Sequence, residues 1–193
     1  MAPGNVRKQW AAFIQKGEKR QAPSQAVTGR RRFTGVVLGV DPSLRATGLA
    51  VLSVDRSERF ACLHATTIRV NPSQSLAEAL ALIGHRMNEV LDAYSIDESA
   101  FEESIYVQNY QTAMILGAAR GAAISAVSMR GLPVFHYPPL RIKQAVVGYG
   151  RASKEQVQKS VSGFLGYGAT CGFDQSDAAA VALCHSLSGS LAK

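Results

Sequence analysis

Gly35-Val36-Val37-Leu38-Gly39-Val40-Asp41 is an unbroken, mostly apolar run that ends on a carboxylate. A short run of this kind, bounded by turn residues, reads as a strand buried on both faces. Pro42-Ser43 closes it. Thr47 to Val54 and Phe60 to Val70 read as two further strands, separated by the turn Asp55-Arg56-Ser57. Links this short predict an antiparallel meander. Beyond it, Leu76, Leu80, Ile83, Met87, Leu91 and Tyr94 recur at spacings of three and four, so Ser75 to Tyr94 is expected to be a helix with one apolar stripe on the sheet.

Working onward, Ser99 to Ile105 reads as a strand that brings Glu102 and Glu103 to its end, Gln111 to Met129 as a helix, and Leu132 to Tyr137 as a fifth strand. Helices are then expected over Lys154 to Leu165 and Asp174 to Leu187, while Tyr137-Pro138-Pro139 reads as a structural turn. The order predicts an α/β fold, a mixed five-stranded sheet flanked by helices. Gly117 and Gly121 lie four apart in one helix. Each costs about 1 kcal/mol relative to alanine, which implies a reason such as the close approach of another backbone.

Residues 1–34 stand apart. They hold eight basic residues, Arg7, Lys8, Lys16, Lys19, Arg20, Arg30, Arg31 and Arg32, against Glu18 alone, so the chain's net charge of +7 resides there and residues 35–193 are neutral. The division expected is a basic, flexible extension over 1–34 and one folded domain over 35–193. A basic arm on a neutral core fits a polyanionic partner such as nucleic acid, and equally a solvated tail. Cys62, Cys171 and Cys184 make no CxxC pair, which points away from a disulfide framework or zinc knuckle and toward a reducing cytoplasm. An Arg-rich, acid-poor start also has the character of an organellar transit segment. The apolar stretch Thr112 to Met129 contains Arg120 and is rich in Ala and Gly, so no membrane span is expected.

Four carboxylates occupy the places where ligands gather in such sheets: Asp41 and Glu102 at strand ends, Asp174 and Asp177 at the start of the last helix. Asp174 and Asp177 are three apart and share a helix face. If all four converge, they repel unless cations neutralise them, and hard oxygen donors suit Mg²⁺ or Mn²⁺. Taken singly, each has a structural explanation, an acidic N-cap or an acid at a strand end. Spacing alone does not choose between Glu102 and Glu103. His64, His85, His136 and His185 show no ligand spacing and read as surface or satisfied core residues.

The motifs carry a resemblance. Gly39-Val40-Asp41-Pro42-Ser43-Leu44-Arg45-Ala46-Thr47-Gly48 resembles the first motif of the RuvC family of Holliday junction resolvases. Phe101-Glu102-Glu103, with Asn109 and Leu116-Gly117-Ala118-Ala119-Arg120-Gly121, resembles the second. Arg141 to Gly148 with Lys154-Glu155-Gln156-Val157 resembles the third, and Asp174-Gln175-Ser176-Asp177-Ala178-Ala179-Ala180 the fourth. The likeness covers roughly residues 35–188 and leaves out the arm. It implies an RNase H-like fold and a Mg²⁺-dependent endonuclease that resolves four-way junctions by paired symmetric nicks in recombination and repair. It further implies two metal ions held by Asp41, Glu102, Asp174 and Asp177, with Mn²⁺ able to substitute, and Lys143 and Lys154 near the scissile phosphate. A homodimer is implied too, here assigned to the Gln111–Met129 helix, with a branch-migration motor as a further partner and a cytoplasmic, bacterial nucleoid location. Arg120, Lys143, Lys154, Tyr106 and the arm's Arg30, Arg31 and Arg32 are the expected DNA contacts. Relatives usually carry an aromatic three residues after the catalytic Glu; here Ile105 stands there and Tyr106 beside it, which leaves open which of them faces DNA. The rival readings are an RNase H-like nuclease for another branched or hybrid substrate, and a non-catalytic nucleic-acid-binding module.

Overall fold

A computed structural model describes residues 33–103, 109–166 and 172–188. Tyr106 and Ile105, Cys171 and the arm's Arg30, Arg31 and Arg32 lie outside the described residues. The described elements run β1 (Gly35–Asp41), β2 (Ala46–Val54), β3 (Phe60–Arg69), α1 (Leu76–Ala93), β4 (Glu98–Glu102), α2 (Tyr110–Ser128), β5 (Val134–Tyr137), α3 (Pro139–Val147), α4 (Lys154–Leu165) and α5 (Phe173–Ser188). The sheet order is β3-β2-β1-β4-β5. β1, β2 and β3 form the antiparallel meander, whereas β1 pairs with β4 and β4 with β5 in parallel.

Strand alternation divides the core into two layers. Val37, Ala50, Leu52 and Ala100 point to one face, which α3, α4 and α5 cover. Leu38, Val40, Leu49, Val51 and Phe101 point to the other, under α1 and α2. With both faces covered, β1 has no polar side, which is why it reads as a continuous apolar run. Phe33, two residues before β1, also belongs to the core, its ring edge-on to His185 at 5.1 Å.

Ser75 caps α1 through a capping box with Glu78, and Tyr94 ends the helix, so the expected bounds hold. The buried stripe is rotated from the one expected: Ala79 and Val90 join Ile83, Met87 and Leu91 inside, while Leu76 is exposed. β4 ends at Glu102, short of the expected Ile105.

The prolines after β5 do not merely turn the chain. Pro139 sits at the first position of α3, where its fixed φ suits a helix and its missing N–H goes unneeded, and Gly148 ends that helix in a left-handed conformation, φ 82°.

Among the described residues of this chain, the glycines that another backbone closely approaches are not the ones in α2. Gly117 and Gly121 lie on its exposed face, and among the described residues nothing stands within 4 Å of where their Cβ atoms would be. At Gly39 and Gly48 a Cβ would overlap the carbonyl oxygens of Ala178 and Asp174 respectively. These two glycines, facing the alanines of α5, let that helix lie flush on β1 and β2. Its N-terminus is thereby delivered to the end of β1.

Candidate active site

Register builds the site. In the parallel ladder Val40 pairs with Phe101, so Asp41 and Glu102, one residue further on, stand side by side. Val40 and Phe101 face the α1/α2 layer, and alternation therefore turns both carboxylates toward α5. Glu103, past the strand end, is held by its N–H to the Tyr137 carbonyl at 2.9 Å. On the other side Asp41 pairs with Gly48, and Gly48 abuts the Asp174 backbone. The first turn of α5 is thus fixed against both strands.

The turn between β1 and β2 is closed by Thr47, whose buried hydroxyl donates to the Ser43 carbonyl and accepts from the Ser43 N–H. Arg45 reaches away from the carboxylates and donates to the Asn71 carbonyl at 2.9 Å. Those two motif residues hold the loop.

A cleft of about 380 Å³ results, lined by Asp41, Glu102, Glu103, Asp177, Lys143 and Lys154 with Pro42, Pro139 and Ile142. Lys154 Nζ lies 3.2 Å from Asp177 Oδ2. Asp174 is not part of the lining, but its charge is felt at Asp41 and at Lys154. Burial, then the Asp177 charge, pushes Asp41 from 3.8 up to about 6, against the pull of Lys154. Burial, followed by the charge of Asp41, raises Glu102 to about 8. Lys154 is raised chiefly by Asp177 and stays an ammonium at neutral pH.

Carboxylates crowded together, with Asp41 and Glu102 both pushed up, are a donor set for hard divalent cations, and among the described residues the cleft lining holds no thiol or imidazole that would favour zinc. As placed, no three acidic, His or Cys groups among the described residues close tightly enough to enclose an ion by themselves. The ammonium of Lys154 is the cation they share.

Arg120, expected at the DNA, is half-buried and turned inward. Its Nη1 donates to the Glu102 carbonyl at 3.2 Å and its Nη2 meets His136 Nδ1 at 2.8 Å. Burial and the Arg120 charge lower His136, and because a guanidinium can only donate, Nδ1 is the acceptor in this contact. The pair ties the end of β4 to α2 and β5. Sequence reasoning missed this bridge because one partner is a main-chain carbonyl and the other, His136, lies sixteen residues away on a neighbouring strand.

Below the cleft, His185 is fully buried among Phe33, Phe135 and Tyr137. Its Nε2 is 2.7 Å from Glu98 Oε2 and its Nδ1 is 2.9 Å from the Tyr137 hydroxyl. One neutral tautomer satisfies both contacts, with Nε2–H donating to the carboxylate and Nδ1 accepting from the tyrosine. Burial lowers this histidine. It is a satisfied core residue.

Comparison with known proteins agrees with these motifs. A family model described as crossover junction endodeoxyribonuclease RuvC matches residues 37–185. The RuvC of Cupriavidus metallidurans is 43% identical over 153 residues, 79% of this chain and 84% of the relative. That of Finegoldia magna is 39% identical over 150 residues, 77% of this chain and 91% of the relative. Among solved structures, T. thermophilus RuvC in complex with a Holliday junction substrate superposes with a TM-score of 0.75 at 34% identity, covering 80% of this chain and 94% of that one. The sheet order, the motif positions and these matches together place the chain in the RuvC family of crossover junction endodeoxyribonucleases, with an RNase H-like fold.

Proposed function

We propose that this protein hydrolyses phosphodiester bonds at four-way DNA junctions, with Asp41, Glu102, Asp174 and Asp177 holding two divalent cations, Mg²⁺ by preference and Mn²⁺ as a substitute. The observation that carries the reading is the convergence of Asp41, Glu102 and Asp177 in one cleft beside Lys143 and Lys154, with Asp174 one turn away on α5. RuvC-family nucleases depend on divalent metal, and a bound ion of this kind lowers the pKa of water and stabilises charge on a phosphoryl group. The protein's own groups do the rest. Lys154, held ionised by Asp177, and Lys143 offer positive charge to a phosphate entering the cleft. Arg120 fixes the strand end from which Glu102 projects. The buried walls, including Ile142 and Val157, exclude water and strengthen each charge interaction.

Paired, symmetric cuts require a two-fold assembly matched to the pseudo-two-fold branch. The α2 face that exposes Met114, Ile115, Gly117 and Gly121 supports a homodimer there: apolar groups surround glycines that leave room for a second backbone. Cooperation with a branch-migration motor and residence on the bacterial nucleoid belong to the same reading. The test offers a synthetic four-way junction, a linear duplex and a flapped duplex of the same sequence, with Mg²⁺ or EDTA. Cutting confined to the junction and to Mg²⁺ is expected. Equal cutting of the linear duplex, or cutting in EDTA, overturns the proposal.

A further inference from the structure

Between α3 and α4 the chain turns through Gly148-Tyr149-Gly150-Arg151-Ala152. The turn is tightly held. Gly148 takes a left-handed conformation, and the Ala152 N–H donates to the Tyr149 carbonyl at 3.2 Å. Ala152 is buried in the core, and Ser153 caps α4 through a capping box with Gln156. A Cβ on Gly150 would stand 3.3 Å from the Leu140 carbonyl, so the bare glycine lets the turn lie against the start of α3. On this rigid support Tyr149 is 57% exposed and Leu140 62% exposed. With Gln144, Gly150 and Arg151 they line a shallow concavity of about 370 Å³.

Neighbouring residues of α3 line this concavity and the candidate active-site cleft. Pro139 and Lys143 line the cleft, and their chain neighbours Leu140 and Gln144 line the concavity, one step around the same helix. Lys154, just past the turn, returns to the cleft. Lys143 and Arg151 bring positive charge to this segment, Arg141 being turned to Ser188 of α5, and no acidic residue lies between Pro139 and Lys154. An exposed aromatic ring, an aliphatic neighbour and an amide side chain on a cationic ledge have the chemistry of a base-stacking platform beside a phosphate track.

We propose that Tyr149, with Leu140 and Gln144, binds an unstacked nucleobase of the DNA strand whose phosphate enters the cleft, while Arg151 engages an adjoining phosphate. The proposal rests on the function proposed above and adds a base subsite to it. The Tyr149 ring supplies the stacking face, and Gln144 offers both a donor and an acceptor to the base edge. Arg151 adds sequence-independent attraction. A paired base cannot reach the ring, so the subsite favours a branched or locally opened strand over continuous duplex.

Single-turnover cleavage of a four-way junction over a range of enzyme concentrations, with parent, Tyr149→Phe and Tyr149→Ala, tests this. Tyr149→Ala should raise the half-saturating concentration roughly 5- to 150-fold, the loss expected for one stacked base. Tyr149→Phe should stay close to the parent, and affinity for linear duplex should be the same in all three. Equal half-saturation for Tyr149→Ala and the parent overturns the subsite, as does equal weakening on duplex and junction, or a Phe variant as impaired as the Ala variant. A second measurement needs no variant: 5-iodouracil placed at positions flanking the cut in the junction should photo-crosslink the parent enzyme at Tyr149, and adducts found only elsewhere overturn it. A parent enzyme that fails to cut the junction would instead refute the proposed function.

Discussion

Replacing Asp41 with asparagine removes one of the charges that the cleft tolerates least. In the metal-free protein the Asp41 carboxyl is displaced from 3.8 to about 6, mainly by burial and then by Asp177. At ~1.4 kcal/mol per pH unit that displacement corresponds to about 3 kcal/mol of strain against holding the group ionised. The sign follows from linkage. A folded-state pKa above the unfolded value means that the native protein binds more protons, so its stability is intact below about pH 4 and falls as pH rises through 6. Glu102, raised to about 8, extends the fall toward pH 8. The asparagine amide of the variant has no proton to lose in this range. In EDTA at pH 8, Asp41→Asn should therefore be more stable than the parent by up to about 3 kcal/mol, or on the order of 6–12 °C in Tm for a domain of this size. At pH 4.5 the two should melt within a degree or two of each other. Adding Mg²⁺ should raise the parent's Tm and leave the variant's nearly unchanged, because the ion then lacks a ligand. Junction affinity should persist or increase, with less repulsion toward phosphate, while cleavage disappears. Calorimetric melts across pH 4.5–8.5, with EDTA and with Mg²⁺, read all of this. An apo variant at pH 8 no more stable than the parent, or Mg²⁺-dependent cutting by Asp41→Asn, would refute the reasoning.

Three further outcomes are expected. Gly48→Ala forces a Cβ into the Asp174 carbonyl and should cost about 1–3 kcal/mol by overpacking, while weakening Mg²⁺ binding more than a stability-matched core variant does; isothermal titration with Mg²⁺ separates the two effects. His185→Ala removes a fully buried ring from its aromatic cage and its contacts to Glu98 and Tyr137, and should cost on the order of 3–5 kcal/mol in denaturant unfolding, with cleavage at 25 °C retained by the folded fraction. Deleting residues 1–32 should flatten the salt dependence of DNA binding by about 0.9 in log–log slope per lost phosphate contact and leave cleavage at saturating enzyme unchanged; an unchanged slope means that the arm does not touch DNA.

The parts of the molecule that follow from local periodicity were legible in the sequence. The meander, α1 and α5 all lie within one or two residues of their expected bounds. Helix α3 was not, because Pro138-Pro139 is a turn signal in isolation, and only a tertiary setting that buries Ile142 and Val146 shows Pro139 to be a helix start. Asp41, Asp174 and Asp177 could be named from their positions at element ends, whereas Glu102 was separated from Glu103 only by the resemblance. What gathers them could not be, since it depends on pairing: the register of β1 with β4 and the bare backbone at Gly39 and Gly48 act across long sequence separations. Attention to glycine spacing fell on Gly117 and Gly121, which nothing among the described residues approaches. Arg120 was named from the motif that resembles the family's second; that its guanidinium reaches the Glu102 carbonyl and His136 depends on tertiary placement and was not legible.

If one carboxylate cleft per subunit cuts DNA in a two-fold assembly, the positions of the nicks will carry that symmetry. A four-way junction labelled in turn on each strand is incubated with Mg²⁺ and with the parent or Glu102→Gln protein. The cut positions are then read at nucleotide resolution. Paired nicks at symmetry-related positions in two opposed strands are expected for the parent, and bound but uncut junction for Glu102→Gln. Nicks scattered without two-fold symmetry, or cutting undiminished in Glu102→Gln, would contradict it.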